Sequence, residues 1–395
     1  MSSTAQQPIE RRMISTTPRL KVMTILGTRP EIIRLSRVMA LLDQHVEHVL
    51  VHTGQNSDFE LSDVFFRDLG VRAPKHCLGI DRTSLGTILA GVILESERVL
   101  KEERPDAVLI LGDTNSAFAA VVARRMKIPV YHMEAGNRCF DFNVPEEINR
   151  RVVDHVSDFN LVYTEHARRN LLAEGIHPRK IYLTGSPMRE ALKAAEPGIT
   201  ASDILRRLDL APQKYLLVST HRAENVDVPE HLRSLLRGIE RVCEEFDLPA
   251  VVSTHPRTRQ RIEALGGERL DQRIRFLKPF GYHDYVRLQI DAFCTLSDSG
   301  TISEESAILG FPAVTLRTAI ERPEALDAGR ILLTGRDPEA ILQAVRFVTS
   351  EGERSDMTES SMPAEYAIAD TSRRVVQLIL STAKLAHAWD GIVAA

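Results

Sequence analysis

Cysteine is scarce in this sequence, with four residues in a chain of 395. Cys77, Cys139, Cys243 and Cys294 are widely separated and form no CxxC pair, which argues against a structural zinc site. The pattern is typical of reduced thiols in a cytosolic protein. Cys139 stands among acidic residues, and because anionic neighbours raise the pKa of a thiol, we interpret it as a packing residue and not a nucleophile.

Long hydrophobic runs and a basic excess are also lacking. No apolar run approaches the length that spans a membrane, and a net charge of −4 provides no surface for nucleic acid. Residues 1–18 are polar, lack the apolar core of a signal peptide and are predicted to form a disordered tail. The true start is left open between Met1, Met13 and Met23, and we expect a cytoplasmic protein.

Several motifs of cofactor and metal enzymes are missing. The sequence has no GxGxxG fingerprint for dinucleotides and no GxxxxGK[ST] phosphate loop. HExxH and DxD are absent as well, which argues against a metal-dependent mechanism. We therefore predict a site that uses neither a cofactor nor a metal ion.

Short β-branched runs alternate regularly with helical segments along the whole chain. Continuous apolar strands of this kind indicate parallel sheets covered on both faces, and two series in one chain predict two Rossmann-like, doubly wound α/β domains. The predicted strands are residues 21–26, 48–53, 107–113, 128–134, 160–164 and 180–185, then residues 214–220, 249–255, 273–277, 292–298, 312–317 and 330–335.

The domain boundary is predicted near residues 185–203, where glycine and proline concentrate and the strands pause. This gives an N-terminal domain over 19–187 and a ligand-binding C-terminal domain over 188–364. Residues 365–395 hold a last helix, to about 388, that is expected to return to the first domain. Because ligands bind at the carboxyl ends of parallel strands, two such domains facing each other predict a site in the central cleft.

Carboxylates are crowded in the loop after the fourth predicted strand. HMEAGNRCFDFNVPEEINR contains Glu134, Asp141, Glu146 and Glu147. The third strand ends in Asp113, so carboxylates from neighbouring strand ends are expected close together, where they predict acid–base chemistry. For one of Glu146 and Glu147 the alternative is stabilisation of a helix N-terminus, and Asp113 and Glu134 also suit turn positions.

Basic residues and histidines follow other strand ends. GTRPEIIRLS carries Arg29 and Arg34, which at a helix N-terminus are suited to phosphate or carboxylate; solvated surface charges are the alternative. In the second half, His221 heads a polar cluster in STHRAEN. STHPRT repeats that arrangement one strand later with His255.

The sharpest signal is SDSGTISEESAILG, residues 297–310. Ser299 and Gly300 open a predicted helix whose amides point at an anion, and Glu305 is placed to accept hydrogen bonds from a ribose diol. With Arg322 after the next strand, these residues predict a site for a nucleoside diphosphate. An ordinary capped helix followed by a surface loop is the alternative.

Seven motifs, GTRPE, GDTNS, MEAG-R, PEE-NR, HR-EN, SDSG-I-EE and ERPEA, occur in one order between about residue 20 and about residue 335. In them the chain resembles the non-hydrolysing UDP-N-acetylglucosamine 2-epimerases. The resemblance implies a glycosyltransferase-B-like fold, a homodimer and inversion at C2 of a UDP-linked N-acetylhexosamine for surface polysaccharide synthesis. It implies Asp113, Glu134, Glu146 and His221 as catalytic residues, and Arg29, Arg34, Ser299, Gly300, Glu305 and Arg322 as UDP contacts.

The chain departs from the family pattern at Thr301, where many members have glycine, and at Asn56, where histidine is common. Gln55 and Asn56 lie in the region of an allosteric response of bacterial members and, with His255, are candidate regulatory residues. The loop GNRCFDFNVPEEINRRVVDH resembles the branch that forms UDP-N-acetyl-L-fucosamine, so the sugar stays open. A glycosyltransferase of the same fold, a hydrolysing epimerase and a nucleotide-sugar sensor are alternatives; the number of carboxylates favours the epimerase.

Overall fold

A computed structural model describes residues 19–54, 66–265, 271–350 and 362–392. Its first sheet has the order β3-β2-β1-β4-β5-β6-β7, and every neighbouring pair is parallel. The strands are β1 Lys21–Leu26, β2 Glu47–His52, β3 His76–Cys77, β4 Ala107–Leu111, β5 Val130–Met133, β6 Phe159–Val162 and β7 Ile181–Leu183.

The second sheet has the order β10-β9-β8-β11-β12-β13 and is also parallel throughout. Its strands are β8 Leu216–Ser219, β9 Ala250–Ser253, β10 Ile274–Leu277, β11 Cys294–Ser297, β12 Ala313–Thr315 and β13 Leu332–Leu333. Two open parallel sheets of this kind confirm the predicted pair of doubly wound domains. All twelve predicted strands are found, and the two-residue strand β3 is an addition.

Helices connect the strands and cover both faces. They are α1 Arg29–His45, α2 Leu85–Glu103, α3 Ala119–Arg125, α4 Pro145–Val156, α5 Glu165–Ala173, α6 Met188–Ala201, α7 Ile204–Leu208, α8 Ala223–Val226, α9 Pro229–Phe246, α10 Pro256–Ala264, α11 Tyr282–Asp291, α12 Ile302–Leu309, α13 Pro323–Asp327, α14 Pro338–Val348, α15 Thr371–Thr382 and α16 Ala386–Trp389. Within the described ranges, no helix is long and apolar enough to cross a membrane.

Strand β1 shows why the sequence runs are continuous and not alternating. Val22 and Leu26 pack into one core, whereas Met23 and Ile25 pack into a second core on the other face of the sheet. Because successive side chains of a strand point to opposite faces, a strand covered on both sides needs apolar residues at every position.

The segment in which the strands pause is helical. Helix α6 contains Pro197, and its Met188 and Leu192 are buried in the first core together with Tyr282 and Val286 of α11. Helix α6 therefore packs against both halves of the molecule. The composition of residues 185–203 predicted only a pause between strands, since proline within a helix is unfavourable without compensating tertiary contacts.

Helix α15, the second-last helix, packs on the first half of the chain. Val375 and Ile379 are fully buried in the same core as Leu35 and Leu42 of α1. At its start, the Thr371 hydroxyl donates to the carbonyl oxygens of Thr184 at 3.0 Å and Ser186 at 3.2 Å. The chain thus crosses between the two halves twice, and the crossings are hydrogen-bonded to each other.

If burial of α15 stabilises the first domain, Ile379→Ala should lower the free energy of unfolding by about 2–4 kcal/mol, because it leaves a cavity in the core. The matched control is Leu380→Ala on the same helix, whose side chain is 47% exposed; it should cost about 0.5 kcal/mol or less. Denaturant unfolding measures both. Equal losses for the two variants would contradict the packing described.

Candidate active site

Each sheet has one point at which the strand order reverses, and the loops there carry the sequence motifs. In the first sheet this point lies between β1 and β4, and in the second between β8 and β11. The crevice outside the carboxyl ends of such strands is where open α/β sheets bind ligands. Loops 27–29 and 112–114 therefore lie at one site, and loops 220–222 and 298–300 at the other.

In the first sheet, the buried carboxylate of Glu31 joins the two loops. It accepts hydrogen bonds from the Gly27 amide at 3.0 Å, the Thr28 hydroxyl at 2.7 Å and the Thr114 hydroxyl at 3.2 Å. Burial raises the pKa of Glu31 to about 7. Glu31 thereby fixes the loop of Arg29 against the loop of Asp113. Sequence reasoning missed it, although it is the last letter of GTRPE.

In the second sheet, Asp298 has the equivalent place. Its buried carboxylate accepts from the Thr220 hydroxyl at 2.8 Å and from the amides of His221 and Arg222 at 3.0 Å, and it lies 3.1 Å from His221 Nδ1. Burial alone would raise the pKa of Asp298, but His221 and the donated hydrogen bonds outweigh it and hold the pKa below its ordinary range. The His221 side chain is 44% exposed, so Asp298 orients it at the edge of the cleft.

Four buried side chains, Arg34, Glu134, Glu304 and Arg322, join the two domains; we call them the Arg–Glu cluster. Arg34 Nη1 donates to Glu134 Oε2, and Arg34 Nη2 donates to Glu304 Oε2 at 2.9 Å. Arg322 Nη2 donates to Glu134 Oε1 at 2.8 Å, and its Nε lies 3.3 Å from Glu304 Oε2. Each arginine therefore contacts one carboxylate from each domain.

The backbone around Glu134 is unusual. Glu134 has a φ of +65°, a region that side-chain-bearing residues seldom adopt. Two residues later Gly136 has a φ of +80°, and a Cβ there would lie 2.4 Å from the carbonyl oxygen of Ala167. Only glycine fits this approach, so the turn that follows β5 aims the Glu134 carboxylate at the cleft and fixes it against α5.

A second ionic group surrounds Asp113. Its Oδ2 lies 2.7 Å from both Nε and Nη2 of Arg150, which also lies 3.0 Å from Glu147 and 3.2 Å from Glu321. Glu147 is fully buried and serves Arg150 as an ion-pair partner. Arg317 forms a bidentate pair with Glu321, which connects the group to the second domain. Arg150 and Glu321 were not predicted as site residues, because a pair this distant in sequence leaves no local pattern. Glu147 was named only as one of the carboxylates of its loop.

The structure brings most predicted residues to the cleft, with differences in what they contact. Arg322 Nε donates to the carbonyl oxygen of Gly300 at 2.8 Å, and Ser299 hydrogen-bonds to Thr301 at 2.9 Å. Glu305, in contrast, is buried beside Gln289 at 2.6 Å, and it is Glu304 that joins the cluster. Arg29, Asp113 and Glu146 are half-buried at loop or helix starts, and the His255 ring lies 6.2 Å from that of His221; Gln55 and Asn56 lie outside the described residues.

Arg34 and Arg322 were predicted as UDP contacts, and the structure pairs both with carboxylates; that role stays a prediction.

Among the described residues, one group of metal-ligand types, His76, Glu102 and Glu103, lies together. Lys21 at 3.2 Å and Lys75 at 2.6 Å neutralise Glu103, so this group is better described as ion pairs.

Two facing doubly wound domains, with carboxylates on one side of the cleft and a helix start with cations on the other, have the architecture of glycosyltransferase-B-like proteins that handle nucleotide sugars. The family profile described as UDP-N-acetylglucosamine 2-epimerase matches residues 40–380. The chain belongs to this family of isomerases.

Three relatives illustrate the similarity. A Rickettsia bellii UDP-N-acetylglucosamine 2-epimerase structure is 46% identical, with 93% of this chain and 98% of that chain covered and a TM-score of 0.87. A Methanocaldococcus jannaschii UDP-GlcNAc 2-epimerase, in complex with UDP-GlcNAc and UDP, is 34% identical, with coverage of 92% and 100% and a TM-score of 0.85. A Pseudomonas aeruginosa UDP-2,3-diacetamido-2,3-dideoxy-D-glucuronate 2-epimerase is 34% identical over 338 residues, 83% of this chain and 92% of the relative.

A more distant likeness concerns the fold alone. Phytolacca americana UGT2 is 13% identical and aligns with a TM-score of 0.58 over 93% of this chain and 100% of that chain. The two-domain arrangement is therefore shared beyond the epimerases, and the chemistry must be argued from the side chains in the cleft.

The pKa of Glu31 gives a pH-dependent prediction. Because its folded-state pKa of about 7 lies above the ordinary value, its contribution to stability is present at low pH and is lost as pH rises toward 7. Glu31→Gln retains an acceptor for Gly27 and Thr28 but does not ionise. Its free energy of unfolding, relative to the unsubstituted protein, should therefore increase by about 3 kcal/mol between pH 4.5 and pH 8.

Denaturant unfolding of both proteins at several pH values measures this difference. A difference that stays constant across the range would mean that folding does not raise the pKa of Glu31.

Proposed function

We propose that the protein epimerises a UDP-linked N-acetylhexosamine at C2, converting UDP-N-acetylglucosamine to UDP-N-acetylmannosamine without net hydrolysis. The C2 hydrogen of the sugar is not adjacent to a carbonyl, so a carboxylate cannot remove it directly at a useful rate. When the C1–O bond to UDP breaks, positive charge at C1 makes that hydrogen acidic. Its removal gives 2-acetamidoglucal, and return of a proton to the opposite face of C2 and of UDP to C1 completes the reaction.

The observation that carries the proposal is that Asp113 and Glu134 follow neighbouring parallel strands, β4 and β5, beside the first switch point. A Cβ on Gly112, the residue before Asp113, would lie 3.8 Å from Glu134 Oε2, so the two acids occupy adjacent loops. We assign Asp113, Glu134 and Glu146 to proton transfer and to electrostatic stabilisation of the C1 cation. Acidic groups on more than one loop are what inversion at a single carbon requires, because both faces of C2 must be served.

On the other side of the cleft we assign UDP binding to the start of α12 and the neighbouring cations. Ser299 and Gly300 precede that helix, whose first-turn amides favour an anion. Arg29, Arg34 and Arg322 are assigned to the diphosphate, Glu305 to the ribose, and His221 to the departure of UDP. Asp298 supports the last assignment, since its contact with Nδ1 at 3.1 Å orients the His221 ring at the edge of the cleft.

The same chemistry on a UDP-linked L-sugar, giving UDP-N-acetyl-L-fucosamine, is the second candidate. It is favoured by the loop GNRCFDFNVPEEINRRVVDH, residues 136–155, which resembles the branch that forms this product. The Pseudomonas aeruginosa relative, whose substrate is a diacetamido-glucuronate, illustrates how far sugars vary within the family. Either product suits surface polysaccharide synthesis. We place the reaction in the cytoplasm, where the four cysteines, all of them described and free of disulfides, would stay reduced.

Proton exchange at C2 tests the proposal. The protein is incubated with UDP-N-acetylglucosamine in deuterated water, and the reaction is followed by NMR. Deuterium should appear at C2, and UDP-N-acetylmannosamine should form. Glu134→Gln and Asp113→Asn should each reduce the exchange by about a hundredfold or more, because proton transfer by a positioned group contributes that much. Retained UDP binding in both variants is the control for an intact C-terminal site.

Three outcomes separate the candidates. Exchange only with UDP-linked L-sugars would select the second candidate. Release of free sugar without return to the UDP-linked form would select hydrolysis. Absence of exchange with any of these substrates, together with intact UDP binding, would overturn the epimerase and favour a transferase.

We also propose a homodimer through helix α2. This helix exposes three large apolar side chains, Leu85 at 64%, Leu94 at 63% and Ile93 at 39%, which a second copy of the chain would bury. Pairing of the same helix from two copies would cover it symmetrically.

Sedimentation velocity tests the dimer. The unsubstituted protein should sediment as a dimer and Leu94→Glu as a monomer, because a charge would be buried without a partner. Leu172→Glu is the matched control: Leu172 lies on α5 and is 42% exposed, and its substitution should leave the dimer intact. A monomeric unsubstituted protein would contradict the proposal.

A further inference from the structure

Glu304 is a member of the Arg–Glu cluster for which the sequence motifs provide no role. Its side chain is completely buried on α12, beside the residues assigned to UDP. One carboxylate oxygen contacts both arginines, Arg34 at 2.9 Å and Arg322 at 3.3 Å. The other accepts a hydrogen bond from the Ser186 hydroxyl. Both oxygens are thus used to hold other side chains of the protein.

The two arginines that Glu304 holds are the ones that contact Glu134. One terminal nitrogen of each, Arg34 Nη1 and Arg322 Nη2, donates to one of the two oxygens of Glu134. The cluster therefore has two positive and two negative charges in alternating order. Desolvation makes a buried ionic group a weak source of stability compared with apolar packing. Its position in the cleft, around an acid assigned to catalysis, points to a role in orientation.

Ser186 connects Glu304 to the segments that cross between the domains. It lies between the end of β7 and the start of α6, and its carbonyl oxygen accepts from Thr371 at the start of α15. Glu304, by contrast, belongs to the C-terminal domain. An opening motion about the crossings would move Glu304 and Arg322 away from Arg34 and Glu134, since the pairs lie on different domains.

We infer that Glu304 is a positioning residue for epimerisation: it anchors the guanidinium groups of Arg34 and Arg322 so that both address Glu134 when the domains are closed. This inference rests on the proposed function, because it requires that Glu134 takes part in the reaction. Glu304 acts through the arginines, since both of its carboxylate oxygens are occupied by side chains of the protein. Loss of its charge leaves both arginines to a single carboxylate.

A change in the ionisation of Glu134 distinguishes this role from simple packing. The charged and titratable groups that face Glu134 come from five elements and are Arg34 of α1, Arg150 of α4, Tyr163 after β6, Glu304 of α12 and Arg322 before α13. Glu304 is the other carboxylate among them. Without its negative charge, protonation of Glu134 becomes less favourable, whether Glu134 acts as the base or as the acid.

The experiment compares pH–rate profiles of C2 epimerisation for the unsubstituted protein and Glu304→Gln. We expect kcat to fall by about ten- to a hundredfold with KM changed by less than about threefold, as for loss of an interaction made in the transition state. The limb of the pH–rate profile that depends on Glu134 should move to lower pH, because a neighbouring negative charge is lost. Glu304→Asp should restore the limb, because the charge returns, even where kcat recovers only in part.

Two further variants keep the test decisive. Ser306→Ala, also on α12 but outside the cluster, is the matched control and should leave kcat and the profile unchanged. If Glu304→Gln does not fold, the double variant that combines Arg34→Gln with Glu304→Gln is used, because its cluster again has no net charge. The limb of the pH–rate profile of this double variant should then lie at or above the pH found for the unsubstituted protein, because Glu134 keeps only one of its two arginine partners.

The outcomes separate this inference from the proposed function. Absence of epimerisation in the unsubstituted protein overturns both. Normal epimerisation with an unchanged kcat in Glu304→Gln overturns the inference alone. The inference is also overturned if kcat falls in Glu304→Gln, the limb of the pH–rate profile does not move, and Glu304→Asp fails to restore the rate. That combination is the result expected of a packing role alone.

Discussion

Burial of four alternating charges between two sheets is the interaction on which the cleft depends. Arg34 and Glu134 come from the first domain, and Glu304 and Arg322 from the second. Each domain holds one ion pair of its own, Arg34 with Glu134 and Arg322 with Glu304. The closed arrangement adds the two pairs across the cleft, Arg34 with Glu304 and Arg322 with Glu134. Each buried charge then has two partners of opposite sign, which offsets part of its desolvation, and the catalytic assignments apply to that state.

At both switch points a buried carboxylate joins the loops, but the pKa values of the two carboxylates are shifted in opposite directions. Glu31 and Asp298 are buried carboxylates that join neighbouring loops through backbone amides and hydroxyls. Asp298 also has the imidazole of His221 at 3.1 Å, which holds its pKa low. Glu31 accepts hydrogen bonds from neutral donors, and burial raises its pKa to about 7. The second loop pair is thus fixed by a permanent charge, and the first by a carboxyl group that titrates near neutral pH.

Local pattern predicted the sheets well, because each buried strand needs an unbroken apolar run. It missed β3, whose two residues His76 and Cys77 form no such run, and it did not predict helix α6 across Pro197. In the site, strand ends and helix starts located Asp113, Glu134 and Ser299. The partners Arg150, Glu304 and Glu321 could not be predicted, since the pairs of Arg150 with Glu321 and of Arg34 with Glu304 span more than a hundred residues and depend on how the domains face each other.

The place of Arg34 in the cluster is compatible with its predicted contact to UDP. Both terminal nitrogens of Arg34 are used on carboxylates, but its buried Nε has no hydrogen-bond partner in the part of the chain that is described. A buried donor of this kind is costly unless something accepts from it. A guanidinium group carries five donors in one plane, so Arg34 can bind a phosphate oxygen through Nε without releasing Glu134. Diphosphate binding and orientation of the acid would then be coupled through one side chain, and Glu304 keeps that side chain in place for both.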